Sequence, residues 1–409
     1  MDGAIHSVTI TGYNSDGEGV SRLEDGRVAF VRGAARGDVL EIVLVKDQQR
    51  VAWAEIVRVI TPSPYRIEPD CSVYPECGGC DYRHVTYEEE LDAKKQCVND
   101  ALQRIGGLSV LVDQVLHSGK INGYRNKAVL HSDGASLGFY RARSHDVIPV
   151  EHCLLLKDDL NCSLKDLIQT GATSDGVTLR SGRNGVGDRG TVLLSQNGEK
   201  SSKLVRRTVP LSPSTEELDG LIFKVEGFFQ VNTDAALLLF QKAREYAALS
   251  KADTFVDLYC GVGALTLFVG RDAGYALGVE QNQGAVRIAR ENAERNGFSH
   301  IEFINADAAE WVADVVEPDC VIVDPPRKGL SQGAINKIFE LSPKRLVYIS
   351  CNPATLARDL KVLTGGGKSD AKPPEAQPPS LCFKVSDICA VDMFPRTANI
   401  ECCCLLVKE

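Results

Sequence analysis

From residue 254 onward the chain alternates short apolar runs with amphipathic stretches, and that alternation restricts the possible folds more than any other feature. Four runs, Thr254–Leu258, Tyr275–Glu280, Cys320–Asp324 and Arg345–Ile349, have the length and the aliphatic and aromatic content of buried strands. Around them, residues 234–249, 282–296 and 332–340 repeat apolar positions at intervals of three and four, the period of a helix. Strands that alternate with helices pack as a parallel sheet with helices on its faces, so residues 225–409 predict a doubly wound, Rossmann-like α/β domain.

The upstream text is different. Residues 4–60 read as short strands, His6–Ile10, Val28–Val31, Val39–Val45 and Val51–Val57, separated by Gly-rich turns at Gly17–Gly19 and Arg32–Asp38. This spacing suits a five-strand barrel of the OB type over residues 1–62. Pro62 and Pro64 then form a linker, because neither can continue a ladder or a helix interior. Residues 63–224 make a mixed middle region: a cysteine cluster, a helical pattern from Thr86 to Leu108, then β-rich, Gly-punctuated sequence from 120 to 220. The helical part near 86–118 is expected to pack on the third region, and Gly365–Ser380 reads as a surface loop.

The 409 residues suffice for two or three domains, and 44% hydrophobic with 25% charged residues is ordinary globular composition. No apolar run approaches the roughly 20 residues of a spanning helix, and the N-terminus does not read as a signal peptide, so the expected compartment is the cytoplasm and no membrane partner is expected. Fourteen cysteines there point to metal, catalysis or burial rather than disulfides. The net charge of −9 gives no global attraction to nucleic acid, so any such contact needs local basic patches. Tyr124–Lys127 and Gly138–Arg143 mix aromatic and basic residues in the manner of such patches.

Three segments carry chemistry. In Tyr348–Leu360 a strand breaks at Asn352-Pro353 and a helix begins, which puts Cys351 beside a helix N-terminus, a setting expected to lower a thiol pKa and make a nucleophile. Asp257–Ala264 follows the first strand and opens a helix, with Gly261 and Gly263 letting backbone approach a nucleotide cofactor, and Glu280 ends the next strand where an acid takes ribose hydroxyls. Asp324-Pro325-Pro326-Arg327-Lys328-Gly329 fixes the chain after a later strand and aims Asp324 into the cleft, which favours S-adenosylmethionine over NAD. Separately, Cys71, Cys77 and Cys80 form a C-x5-C-G-G-C stretch that Cys153 could complete, a spacing that suits either an iron–sulfur cluster or zinc. Cys402, Cys403 and Cys404 read as a strand with one buried face.

DLYCGVGALTL, VDPPRKGL and YISCNPATLARDL together resemble the RNA uracil-5 methyltransferase family, and the start of the chain resembles its TRAM domain. The resemblance implies that Cys351 adds to C6 of uracil and that Glu401, in Pro395–Glu401, is the general base. It implies S-adenosylmethionine contacts from Gln230, Tyr259, Gly261, Glu280, Asp307 and Asp324, and a [4Fe-4S] cluster on Cys71, Cys77, Cys80 and Cys153, with zinc as the alternative. Relatives commonly carry histidines at the positions of Arg396 and Asn399, and often Asn at Ala264. The expected substrate is an RNA uridine, in 23S rRNA before tRNA, taken out of its stack, by a monomer that does not act on DNA. A catalytically silent iron–sulfur RNA-binding protein is the rival class.

Overall fold

Three sheets organise the residues described in this computed structural model, which are 4–169, 171, 176–183, 189–195, 215–224, 229–311, 317–366 and 382–409. The third holds eight strands in the order Ile301–Asn305, Tyr275–Glu280, Thr254–Leu258, Cys320–Val323, Arg345–Ser350, Glu401–Lys408, Phe383–Val391 and Val115–Leu116. The first five are mutually parallel, whereas Glu401–Lys408 runs antiparallel to both of its neighbours.

The central strands Thr254–Leu258, Cys320–Val323 and Arg345–Ser350 are buried on both sides because both faces are covered. Phe255, Ile322, Val347 and Cys403 join one core with the helices Thr233–Ala247, Ala264–Gly270 and Gln283–Arg295. Val256, Val321, Leu346, Cys402 and Cys404 join the other, under Gln332–Leu341, Pro353–Leu363 and residues of Tyr87–Ala101. All three consecutive cysteines are therefore fully buried, which corrects the expectation of a single buried face. Each fully buried aliphatic side chain in these layers is worth about 1.5–3 kcal/mol.

The first sheet has six strands rather than the expected five, and their apolar residues enclose one small core around Ile10, Leu40 and Ile42. Gly12–Tyr13 and Gly19–Arg22 are strands that the sequence analysis does not assign, and only Gly19 falls in a predicted turn. Gly19 is a strand residue because a Cβ there would come within 2.8 Å of Ala34 Cβ and 2.9 Å of Ile10. The middle sheet runs Val147–Pro149, Leu137–Tyr140, Lys127–Ser132, Val177–Arg183, Thr215–Leu218 and Leu221–Lys224, with Arg189–Ser195 paired to Val177–Arg183.

The helix Tyr87–Ala101 starts where the Thr86 side chain accepts from Glu89 N–H. It belongs to the third sheet's packing, and Val115–Leu116 after it extends that sheet by pairing parallel with Phe383–Val391. A buried ion group pins the seam: Lys94 Nζ donates to Glu90 Oε1 and to Asp392 Oδ1, each at 2.7 Å, and Tyr87 donates to Asp392 Oδ2 at 2.7 Å. Removing the lysine would strand two buried carboxylates at a cost of about 3–5 kcal/mol. Among the described residues no helix is long and apolar enough to cross a membrane. The expected loop at Gly365–Ser380 lies outside the described residues apart from its first two positions.

Candidate active site

Register brings the candidate residues to one edge of the third sheet. Leu258 pairs with both Val279 and Val323, so the residues that follow, Tyr259, Glu280 and Asp324, emerge side by side at the strands' carboxyl ends. Thr254–Leu258 is also where strand order reverses, with later strands added on opposite sides, and such a point opens a crevice for a ligand. Phe229, Gln230, Tyr259, Gly261 and Asp324 line one pocket there.

The loop after Leu258 is shaped for close approach. Tyr259 holds φ +72°, a left-handed conformation that costs a non-glycine residue about 1–3 kcal/mol. At Gly261, φ is +54° and a Cβ would meet no protein atom within 4 Å, so its Cα faces open space in which a ligand fits. Gly263 caps the helix Ala264–Gly270 at φ +79°, and a Cβ there would strike Phe303 at 2.8 Å. Glu280 braces the glycine loop by accepting from Gly261 N–H at 3.2 Å, and it accepts from Asn282 N–H at 2.7 Å. Asp307 is exposed, its carboxylate accepts from Ala309 N–H at 2.8 Å, and its charge acts on Tyr259, which lines the pocket. In the pocket's wall, burial pushes Asp257 up to about 8 and Asp324 up to about 7. Asp257 accepts from Thr266 Oγ1 at 2.6 Å through one oxygen, and its other oxygen has no partner.

The second pair follows from the antiparallel strand. Ser350 pairs with Cys402, so one step further along the same register sets Cys351 opposite Glu401. The two side chains interact electrostatically with each other and with Arg327 and Asp324. The Cys351 thiol is pushed above its ordinary value by burial first, then by Glu401, while Arg327 pulls it down. That corrects the expectation of a lowered pKa. The helix N-terminus does follow Cys351, but Asn352 Oδ1 takes its amides, accepting from Ala354 N–H at 3.0 Å and Thr355 N–H at 3.4 Å. Burial also raises Glu401 well above the carboxylate range, helped by Asp324 and opposed by Arg327.

Arg327 is the group that the sequence reading passed over. Its Nη2 donates to Asn399 Oδ1 at 3.0 Å, and its carbonyl accepts from Asn352 Nδ2 and Thr355 Oγ1, each at 3.2 Å. A cation directly after a rigid Asp-Pro-Pro turn was the available signal. Asn399 thus holds the guanidinium, whose charge reaches both Cys351 and Glu401, whereas Arg396 is committed elsewhere. Arg396 holds φ +70°, donates from Nη1 to Val85 O at 3.1 Å, and gives its backbone N–H to Glu90 Oε1 at 2.6 Å in the buried seam.

The four cluster cysteines, Cys71, Cys77, Cys80 and Cys153, line a separate cavity of about 310 Å³. Two guanidinium groups share it: Arg83 Nε donates to Cys80 Sγ at 3.3 Å, and half-buried Arg125 has a buried Nε without a partner. A cavity walled by four thiols and two cations fits an anionic thiolate-bound group. Among the described residues, no three His, Cys, Asp or Glu side chains are gathered to hold a single ion. Tyr124–Lys127 lies against this cavity and not on a free surface, since Tyr124 is buried and donates to Pro395 O at 2.9 Å. Phe139, Tyr140, Arg141, Ala142 and Arg143 instead line an open cleft of about 550 Å³ shared with Arg32 of the first sheet.

Comparison with known proteins agrees with this arrangement. The family profile tRNA (Uracil-5-)-methyltransferase matches residues 221–409 and the TRAM domain profile matches residues 1–57. An uncharacterized RNA methyltransferase of Bacillus cereus is 33% identical, covering 96% of this chain and 94% of the relative. One from Synechocystis is 32% identical, covering 99% and 96%. The crystal structure of Pyrococcus abyssi tRNA (uracil-54, C5)-methyltransferase with S-adenosyl-L-homocysteine superposes with a TM-score of 0.71 at 25% identity, covering 98% of this chain and 100% of that one. With its TRAM start, its switch-point crevice and relatives aligned almost end to end, the chain belongs to the tRNA (uracil-5-)-methyltransferase family of S-adenosylmethionine-dependent RNA methyltransferases.

Proposed function

We propose that this enzyme methylates C5 of a uridine in RNA, with Cys351 as nucleophile and Glu401 as base. The observation that carries the reading is the register that sets Cys351 opposite Glu401 at the edge where Asp324 and the glycine loop form a cofactor crevice. Cys351, once ionised, adds its sulfur to C6 of the uracil and moves the ring electrons onto C5 as an enolate. S-adenosylmethionine, when bound, would supply that carbon with an electrophilic methyl group and be released as S-adenosylhomocysteine. Glu401 then removes the C5 proton, which re-forms the C5–C6 double bond and expels the Cys351 thiolate. Arg327 supports the ionised forms of both groups, the direction in which it pulls each pKa. Gln230, Tyr259, Gly261, Glu280 and Asp324 hold the cofactor, with Asp307 at the rim.

Cys71, Cys77, Cys80 and Cys153 hold a [4Fe-4S] cluster in this reading, which is supported by the single cavity that the four thiols wall together with the cations Arg83 and Arg125. We assign the chain three bodies, residues 1–62, 63–224 and 225–409, with Tyr87–Leu116 lent to the third. The enzyme works as a monomer in the cytoplasm, where fourteen unpaired cysteines stay reduced. The target is large-subunit ribosomal RNA. Transfer RNA is the second reading, favoured by the full-length likeness to an enzyme named for a tRNA uridine.

RNA carrying 5-fluorouridine tests the chemistry. Fluorine at C5 cannot leave as a proton, so the adduct cannot resolve. With S-adenosylmethionine present, a stable RNA–protein adduct mapping to Cys351 supports the reading. No adduct on either RNA class, from enzyme that binds cofactor, overturns it.

A further inference from the structure

The cofactor pocket and the thiol cavity share a wall. Gln230 lines the pocket with Tyr259 and Asp324, and the next residue, Val231, lines the cavity with Cys71, Cys77, Cys80 and Cys153. A three-residue strap, Tyr124–Asn126, joins the two. On one edge Arg125 N–H donates to Leu155 O at 2.8 Å and Arg125 O accepts from Lys157 N–H at 3.1 Å, which fixes the strap to the loop carrying Cys153. On the other edge Asn126 N–H donates to Val231 O at 2.9 Å and Asn126 Nδ2 to Gln230 O at 3.0 Å. The strap's own side chains reach both sites: Arg125 lines the cavity, and Tyr124 donates to Pro395 O in the segment leading to Glu401. Asn126 is fully buried, so its contacts with Gln230 and Val231 have no competing water.

We propose that Asn126 is a positioning residue that seats Gln230, and that through it occupation of the thiol cavity and cofactor binding strengthen each other. The inference rests on the assignment of a cluster to the cavity and S-adenosylmethionine to the pocket. Any group that orders the Cys153 loop orders Arg125, and with it Asn126 and the Gln230 and Val231 carbonyls that Asn126 holds beside the pocket. Coupling of this kind is reciprocal, so bound cofactor must hold the cluster in place by the same factor.

The test uses full-length holoprotein purified without oxygen, with S-adenosylhomocysteine as the probe. Iron release to a chelator is followed by the loss of visible cluster absorption, with and without saturating probe, and probe affinity is measured by calorimetry. Wild type is expected to lose its cluster about five- to tenfold more slowly with the probe bound. Asn126→Ala is expected to bind the probe about tenfold more weakly, to lose most of that protection, and to keep its RNA affinity. Should Asn126→Ala fail to fold, Val231→Ala thins the shared wall without removing any hydrogen bond and is expected to reduce the protection. Equal rates of cluster loss with and without bound probe in wild type overturn the coupling while leaving both sites assigned. A wild-type protein that holds no cluster, or does not bind the probe, overturns the site assignments and the coupling with them.

Discussion

The edge of the third sheet and the thiol cavity are both built for chemistry, but they are built differently. At the sheet edge these residues sit at or next to strand ends, so hydrogen-bond register places them: Tyr259, Glu280 and Asp324 in one row, Cys351 and Glu401 in another. The cavity's thiols come from segments distant in sequence, Cys71–Cys80 and Cys153; its charge partner Arg83 follows the first of these and Arg125 comes from a third. A site set by register tolerates little displacement, since its geometry is the sheet's geometry. A site made from loops depends on whatever ties them, which here includes the strap beside Gln230. The first site should therefore respond to substitution through chemistry, and the second through affinity and stability.

Glu401→Gln should show the largest contrast among the variants that keep the nucleophile. Proton removal slows by about 10²- to 10⁴-fold, the usual worth of a positioned base. Because the earlier steps survive, methylated RNA should accumulate as an adduct on Cys351, visible as a slower-migrating band that denaturation does not separate. Rapid turnover without an adduct would move the base elsewhere.

Arg327→Gln should act next. Losing a charge-assisted contact of about 1.5–3 kcal/mol predicts a fall of roughly 10- to 150-fold in kcat/KM. Its pH profile sharpens the comparison. Burial and neighbouring carboxylates raise both Cys351 and Glu401, and both must lose their protons to act, so kcat/KM should climb from neutral into alkaline pH in the wild type. Arg327 pulls both values down, so its removal should displace that climb to higher pH. An unshifted profile would separate Arg327 from the titrating groups.

Cys80→Ala should have the smallest effect on the chemical step. The visible cluster absorption should disappear and thermal stability should fall, while single-turnover methylation at saturating cofactor and RNA stays within about threefold of wild type. A loss as large as that of Glu401→Gln would erase the distinction between the two regions.

The same distinction explains what could be read from the sequence. The strand–helix alternation, the glycine loop and the residues after each strand were legible, because a period and a following turn are local features. The neighbourhood of those residues was not. Cys351 beside a helix N-terminus suggested a lowered pKa, but Asn352 occupies the amides and Glu401 arrives from a strand fifty residues downstream. Tyr124–Lys127 reads as an exposed aromatic and basic patch, yet tertiary packing buries Tyr124 and Asn126 and turns the segment into a wall between two sites. Gly19 reads as turn chemistry, but it is a strand residue kept small by Ala34 and Ile10. In each case the residue type was informative and its partner was remote in sequence.

The most direct test of the central claim is nucleoside mass spectrometry on unmodified ribosomal and transfer RNA after incubation with S-adenosylmethionine and either wild-type enzyme or Cys351→Ala. The account predicts 5-methyluridine from the wild type at a position that identifies the substrate, and none from the variant although it still binds the cofactor. Equal 5-methyluridine from both proteins would contradict it.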